Sequence, residues 1–204
     1  MQKVNFLALG DSYTIGECVE AELSWPVQLT TKLQSLGIPI HYPQIIAQTG
    51  WTTRELSDGI KHSDVHYSYK LVSLQIGVNN QFQGLSLDTY RMEFHDLLSQ
   101  AVSFAGGNSH RVMVLSVPDW SITPYASELE VDQTEDSVDA FNNINYEVSK
   151  GMGTRYIDVT HISRLAVIHK DFLAPDRLHP SGSMYAAWVE SLLPVALAIL
   201  REDL

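Results

Sequence analysis

The chain has one cysteine, Cys18, in 204 residues. It can hold no internal disulfide framework, no CxxC pair and no cysteine-based zinc site. Basic residues are scarce. Thirteen Lys+Arg stand against 24 Asp+Glu, giving a formal net charge of −11. Such a surface repels phosphate backbones and anionic headgroups, which speaks against nucleic-acid binding and polybasic membrane docking. Long apolar runs are missing too. The run 6–9 is too short for a signal-peptide core, and Asp11 follows it closely. The segment 192–200 is interrupted by Pro194 and falls short of the roughly 17–25 apolar residues of a membrane span. It reads as a core helix, so no membrane span is expected. The short N-terminal run and the lone thiol together favour a cytoplasmic chain, a leader-trimmed exported form being the alternative.

Several motifs are absent as well. His62 and His66 have zincin spacing, but Ser63 stands where the zinc protease needs Glu. Gly151 and Gly153 lack the rest of a dinucleotide fingerprint. Thr14 occupies the position of the final glycine in a Gly-x-Ser-x-Gly elbow. No cofactor and no metal is therefore expected.

What is present is an alternation. Compact apolar runs at 4–9, 38–46, 70–76, 111–117 and 156–159 read as buried strands. Helical patterns at 25–36, 52–60, 87–104, 132–150 and 181–201 separate or follow them, the last expected to kink at Pro194. This order predicts one α/β domain over 1–204 with a parallel sheet covered on both faces. A chain of this length buries roughly 70% of its unfolded surface and needs no staple.

In open parallel sheets, ligands bind beyond the carboxyl ends of the strands. The residues expected there are Gly10-Asp11-Ser12, Thr49-Gly50-Trp51, Gly77-Val78-Asn79-Asn80 and, before the last helix, Asp176-Arg177-Leu178-His179-Pro180. A hydroxyl, backbone N–H groups beside glycines, a side-chain amide and an Asp/His pair are the parts of a serine hydrolase. An Asp three residues before a His can reach its Nδ1–H across a turn, leaving Nε2 to take a serine proton.

By these residues the chain resembles the SGNH hydrolases, or GDSL esterase/lipase family. The four namesake residues correspond to Ser12, Gly50, Asn79 and His179, with Gly10-Asp11-Ser12 and Asp176 to Pro180 as the outer blocks. The resemblance implies a flavodoxin-like three-layer fold with a five-stranded sheet of order 2-1-3-4-5. It implies a carboxylic-ester hydrolase working through an acyl-enzyme. Ser12 would be the nucleophile, His179 the base and Asp176 its partner. Ser12 N–H, Gly50 N–H and the Asn79 side chain would form the oxyanion hole. Asn80 departs from the family pattern, which usually has Asp there.

Trp51, Phe82 and Trp120 are expected to contact substrate, with Tyr125 and Tyr185 as further aromatics near the strand ends. Asp11 is read as a turn or cap residue, and Cys18 as a buried or incidental thiol. The substrate is expected to be a small-molecule or saccharide ester. A carbohydrate O-deacetylase on the same scaffold is the alternative within the enzymes. A flavodoxin-like binding domain without catalysis is the alternative outside them. No pattern specifies an oligomeric state.

Overall fold

A computed structural model of the chain describes residues 3–65, 68–129 and 135–201. The strands are β1 (Phe6–Asp11), β2 (Gln44–Gln48), β3 (Leu71–Gln75), β4 (Val112–Leu115) and β5 (Arg155–Ile157). The helices are α1 (Ser12–Ile15), α2 (Trp25–Ser35), α3 (Thr53–Lys61), α4 (Val78–Phe82), α5 (Leu87–Phe104), α6 (Pro124–Glu128), α7 (Glu135–Met152), α8 (Thr160–Arg164) and α9 (Gly182–Arg201). The five strands are parallel, in the order β2-β1-β3-β4-β5.

Side-chain alternation along the strands divides the core into two layers. Phe6 and Ala8 of β1 face one cluster, while Leu7 and Leu9 face the other. Met113 and Leu115 of β4 join the first, Val112 and Val114 the second. Helices α2 and α9 cover the first face through Trp25, Leu29, Trp188 and Leu192. Helices α3, α5 and α7 cover the second through Leu56, Phe94, Leu97 and Ile144. The central strands β1, β3 and β4 are buried on both faces and are correspondingly rich in apolar residues, whereas the edge strands β2 and β5 are partly exposed. Each fully buried Leu here contributes about 1.5–3 kcal/mol relative to exposure.

The register levels the strand ends. Gly10 stands opposite both Ala47 and Gln75, and Asp11 opposite Gln48. The segments that follow β1, β2 and β3 therefore emerge side by side at one edge of the sheet.

One element differs from the sequence expectation. The second strand was expected at 38–46 but starts at Gln44; before it, Ile40 makes only an isolated bridge to Val4. Pro39 and Pro43 have no N–H to donate to a ladder. Helix α7 is described from Glu135 onward, and the start expected at 132 lies outside the described residues. Helix α9 continues through Pro194 to Arg201. Pro194, which has no N–H to return to the Glu190 carbonyl, lies on the exposed side of the helix. The four short helices α1, α4, α6 and α8 each have too few residues to show a helical period.

Helix α9 is also long and apolar enough, by composition, to cross a bilayer, with a mean hydropathy of 1.6 over its most apolar window. In the fold, Met184, Tyr185, Trp188, Leu192 and Ile199 turn one of its faces into the core.

Candidate active site

The site begins at the end of β1. Gly10 is obligatory there, because a Cβ would lie 2.0 Å from Thr14 Oγ1 and 2.6 Å from the Gln75 carbonyl. Asp11 then caps α1, its Oδ1 accepting from Tyr13 N–H at 3.0 Å. This makes Ser12 the first residue of the short helix. Gly16 ends the helix in the left-handed conformation at φ 82 and returns its N–H to the Ser12 carbonyl.

The second part is the loop before α9. Arg177 N–H donates to the Ala174 carbonyl, Ala174 N–H to the His179 carbonyl, and Ser181 N–H to the Phe172 carbonyl. These bonds close a tight turn. Within it, Asp176 Oδ1 accepts the N–H groups of Leu178 and His179, each at 3.1 Å. Asp176 Oδ2 accepts from His179 Nδ1 at 2.6 Å. That bond fixes the imidazole tautomer, and Nε2 faces Ser12 Oγ at 3.0 Å. The ring of Tyr13 lies 5.0 Å from that of His179, tilted by 50°. Both Ser12 and His179 are buried, at 4% and 8% exposure.

Electrostatics follow the geometry. Burial alone would raise the Asp176 carboxyl. The His179 hydrogen bond and the two backbone N–H groups outweigh it and hold the group below the usual carboxylate range. Asp11 shows the opposite outcome. Wholly buried, and with no partner for Oδ2 among the described residues, it is pushed up to about 7 by desolvation despite the Tyr13 N–H.

Ser12 opens onto a cavity of about 250 Å³. Gly50 and Asn79 line it beside Ser12 and His179, and Val78, Phe82, Trp120 and Leu178 supply apolar walls. Gly50 sits at φ 83, where a glycine is at ease. Asn79 donates one amide hydrogen to the Trp51 carbonyl at 2.9 Å, which leaves its second for a ligand. Trp120 is held by its indole N–H on Gln81 Oε1 at 2.6 Å and packs edge-on to Phe82 at 5.2 Å. A hydroxyl placed as Ser12 is can pass its proton to Nε2 while the carboxylate holds the resulting imidazolium.

Asn80, the departure from the family pattern, lines no part of the cavity. It is buried, its Oδ1 accepting from Thr53 N–H at 3.0 Å and its Nδ2 donating to Thr53 Oγ1 at 2.7 Å. It ties α4 to the start of α3.

One expectation needs correction, and two open readings are narrowed. Trp51 does not contact the cavity with its ring. The indole lies over Gly59 of α3, where a Cβ would come within 2.2 Å of it, and only the backbone carbonyl serves the site. Tyr185 is a core residue, fully buried and edge-on to Trp188 at 5.2 Å. Cys18 is not buried; it is exposed, and its thiol lies within 4.8 Å of an Asp176 carboxylate oxygen. Tyr125 does line the cavity. So do Tyr13, Thr49, Val78 and Leu178, which lie within or beside the expected strand-end segments but carried no individual role. Each directly follows or precedes a residue already singled out, and that adjacency was the available signal. His62 bonds a backbone carbonyl on the surface, and His66 lies outside the described residues.

The profile of the GDSL-like lipase/acylhydrolase family matches residues 8–187. The chain belongs to this family. Membership, together with a fold shared with esterases, supports a hydrolase. A lipase/acylhydrolase from Enterococcus faecalis shares the fold at a TM-score of 0.76, with 18% identity over 98% of this chain and 97% of that one. An esterase from Pseudoalteromonas, EstA, inhibited by monoethylphosphonate, gives a TM-score of 0.72 at 13% identity, over 98% of this chain and 100% of the other. Axe2, an acetylxylan esterase from Geobacillus stearothermophilus, gives 0.67 at 18% identity, over 98% and 94%. Among curated proteins no sequence match is found.

Proposed function

We propose that this GDSL hydrolase cleaves carboxylic esters of short acyl chains through an acyl-enzyme. The observation that carries the reading is the continuous relay from Asp176 Oδ2 to His179 Nδ1 at 2.6 Å and from Nε2 to Ser12 Oγ at 3.0 Å, opening on a cavity. Ser12 Oγ attacks the ester carbonyl and its proton passes to Nε2. Asp176 stabilises the imidazolium without taking the proton itself. Ser12 N–H, Gly50 N–H and the Asn79 amide hold the oxyanion. His179 then protonates the leaving alcohol, and in the second half activates the water that frees the acid. A cavity of about 250 Å³ is smaller than the roughly 300–1,000 Å³ of sites for drug-sized ligands, which favours a short acyl group.

The test is labelling with a fluorophosphonate probe together with turnover of chromogenic acetate and butyrate esters. Both are expected in the wild type and both lost in Ser12→Ala. Labelling that survives in Ser12→Ala would remove Ser12 as nucleophile. Acetylated saccharides belong in the same panel, since the fold is shared with an acetylxylan esterase. Preference for them over simple acetates would move the reading to a carbohydrate deacetylase.

A further inference from the structure

We propose that Cys18, Asp176 and His179 form an inhibitory site for a soft divalent cation, represented by zinc, on the flank of Ser12. The inhibition rests on the hydrolase reading above; the binding does not. One ligand atom from each of the three residues lies within 4.8 Å of the other two. They come from two loops distant in sequence: the one after α1 and the one before α9. Cys18 is exposed, Asp176 intermediate and His179 buried, so the donors run from solvent inward and a cation can enter from the Cys18 side.

The donor set suits zinc. Thiolate, imidazole nitrogen and carboxylate are its three usual ligand types, and three protein ligands with a fourth position left to water make a common arrangement. The thiolate and the Asp176 carboxylate together balance a charge of +2. A protein of formal net charge −11 also draws cations to its surface. Cys18 takes no part in the proton path from Ser12 to His179, so the fold presents a metal-binding thiol that the chemistry does not use.

Binding and turnover exclude each other. The thiol S–H bond breaks, the sulfur–zinc bond forms, and one proton goes to solvent. His179 stays neutral and gives the cation a lone pair. Taken at Nδ1, this requires the ring proton to move to Nε2, where it blocks acceptance from Ser12 and ends the bond to Asp176. Taken at Nε2, it occupies the acceptor directly. Either way the imidazole can no longer serve as the base, and a chelator restores it. The zinc keeps its oxidation state throughout.

The experiment uses the purified full chain cleared of metal with EDTA. Zinc is titrated in competition with a chromophoric chelator, cobalt(II) is titrated for its thiolate charge-transfer absorption, and turnover of a chromogenic acetate ester is followed in parallel. One zinc per chain, a charge-transfer band, and loss of turnover in step with occupancy, reversed by EDTA, are expected. Cys18→Ser and Cys18→Ala should keep basal turnover, lose the band and need about 10–100-fold more zinc for the same inhibition. Ser12→Ala, though inactive, should still bind one zinc. Equal zinc affinity in wild type and Cys18→Ser, or absence of the band, overturns the site. Turnover unaffected at full zinc occupancy overturns the inhibition. A wild type that binds zinc through Cys18 yet hydrolyses no ester keeps the metal site and sinks the hydrolase reading instead.

Discussion

Asn80 grips Thr53 at two points, accepting the backbone N–H at 3.0 Å and donating to the hydroxyl at 2.7 Å. The Thr53 hydroxyl in turn donates its proton to Glu93. The single hydroxyl hydrogen is therefore already committed, and only a donor can sit at position 80. Asn80→Asp would place a second carboxylate against that oxygen. The variant should lose about 1–3 kcal/mol in urea denaturation, and Glu93→Gln in the same chain should recover part of it. Unchanged stability in Asn80→Asp would mean that Thr53 can turn its hydroxyl without cost.

Asn79, the neighbouring residue, lines the cavity beside Ser12. One of its amide hydrogens is held by the Trp51 carbonyl at 2.9 Å, so the group is oriented before any substrate arrives. If it stabilises the oxyanion, Asn79→Ala lowers kcat about 10²–10³-fold with little change in KM. Steady-state kinetics on a chromogenic butyrate ester decide this. A rise in KM at constant kcat would reduce Asn79 to a binding residue.

On the proposed mechanism, Asp176 has an electrostatic duty that an amide cannot perform. Its carboxylate is held ionised by His179 and two backbone N–H groups against the effect of burial. Asp176→Asn keeps the size and loses the charge that fixes the His179 tautomer. On the proposed mechanism, turnover should fall by roughly 10⁴-fold while the far-ultraviolet spectrum stays that of the wild type. A fall of only a few fold would leave the histidine to orient itself.

Asp11 gives a pH prediction. Its folded carboxyl is raised to about 7 by burial, whereas an ordinary aspartate stands at 3.8. Between those values the native state binds more protons than the unfolded one, so stability falls as pH rises. The contribution is full below about pH 4 and lost as pH passes through 7, and its size is of the order of 4 kcal/mol. Asp11→Asn keeps the oxygen that caps Tyr13 and removes the titration. Its Tm should gain on the wild type as pH rises from 4 to 8. A constant difference across that range would show that the group titrates normally.

The cavity walls give a prediction on substrate size. Phe82 is partly exposed and packs on Trp120, whose indole is anchored to Gln81. Phe82→Ala opens the apolar wall without touching the relay. Preference should shift from acetate towards longer acyl chains, read as the ratio of kcat/KM across a chain-length series. An unaltered ratio would place the acyl group elsewhere in the cavity.

Much of this protein was legible along the chain. The five apolar runs announced a parallel sheet, because its central strands, covered on both faces, leave little room for polar side chains. Gly10-Asp11-Ser12 and Asp176 to Pro180 announced the chemistry, because the partners in each block are close enough in sequence for local turns to join them. Helix interiors were legible through their period; one-turn helices were not, since α1, α4, α6 and α8 are shorter than the period needs. Pairings across distance were equally hidden. Nothing in the sequence says that the Trp51 ring rests on Gly59 while its carbonyl holds Asn79, or that Asn80 reaches Thr53.

Cys18 is the sharpest instance, and it was the first residue the composition drew attention to. Its solitude excluded disulfides from the count alone, because a bond needs two partners. Its environment could not be counted. The sequence determined which chemical groups the chain owns and which segments must be buried, since both follow from side-chain identity and local spacing. Only the tertiary structure decided that the thiol after α1 lies within 4.8 Å of the carboxylate before α9, because that proximity comes from two loops converging at one sheet edge.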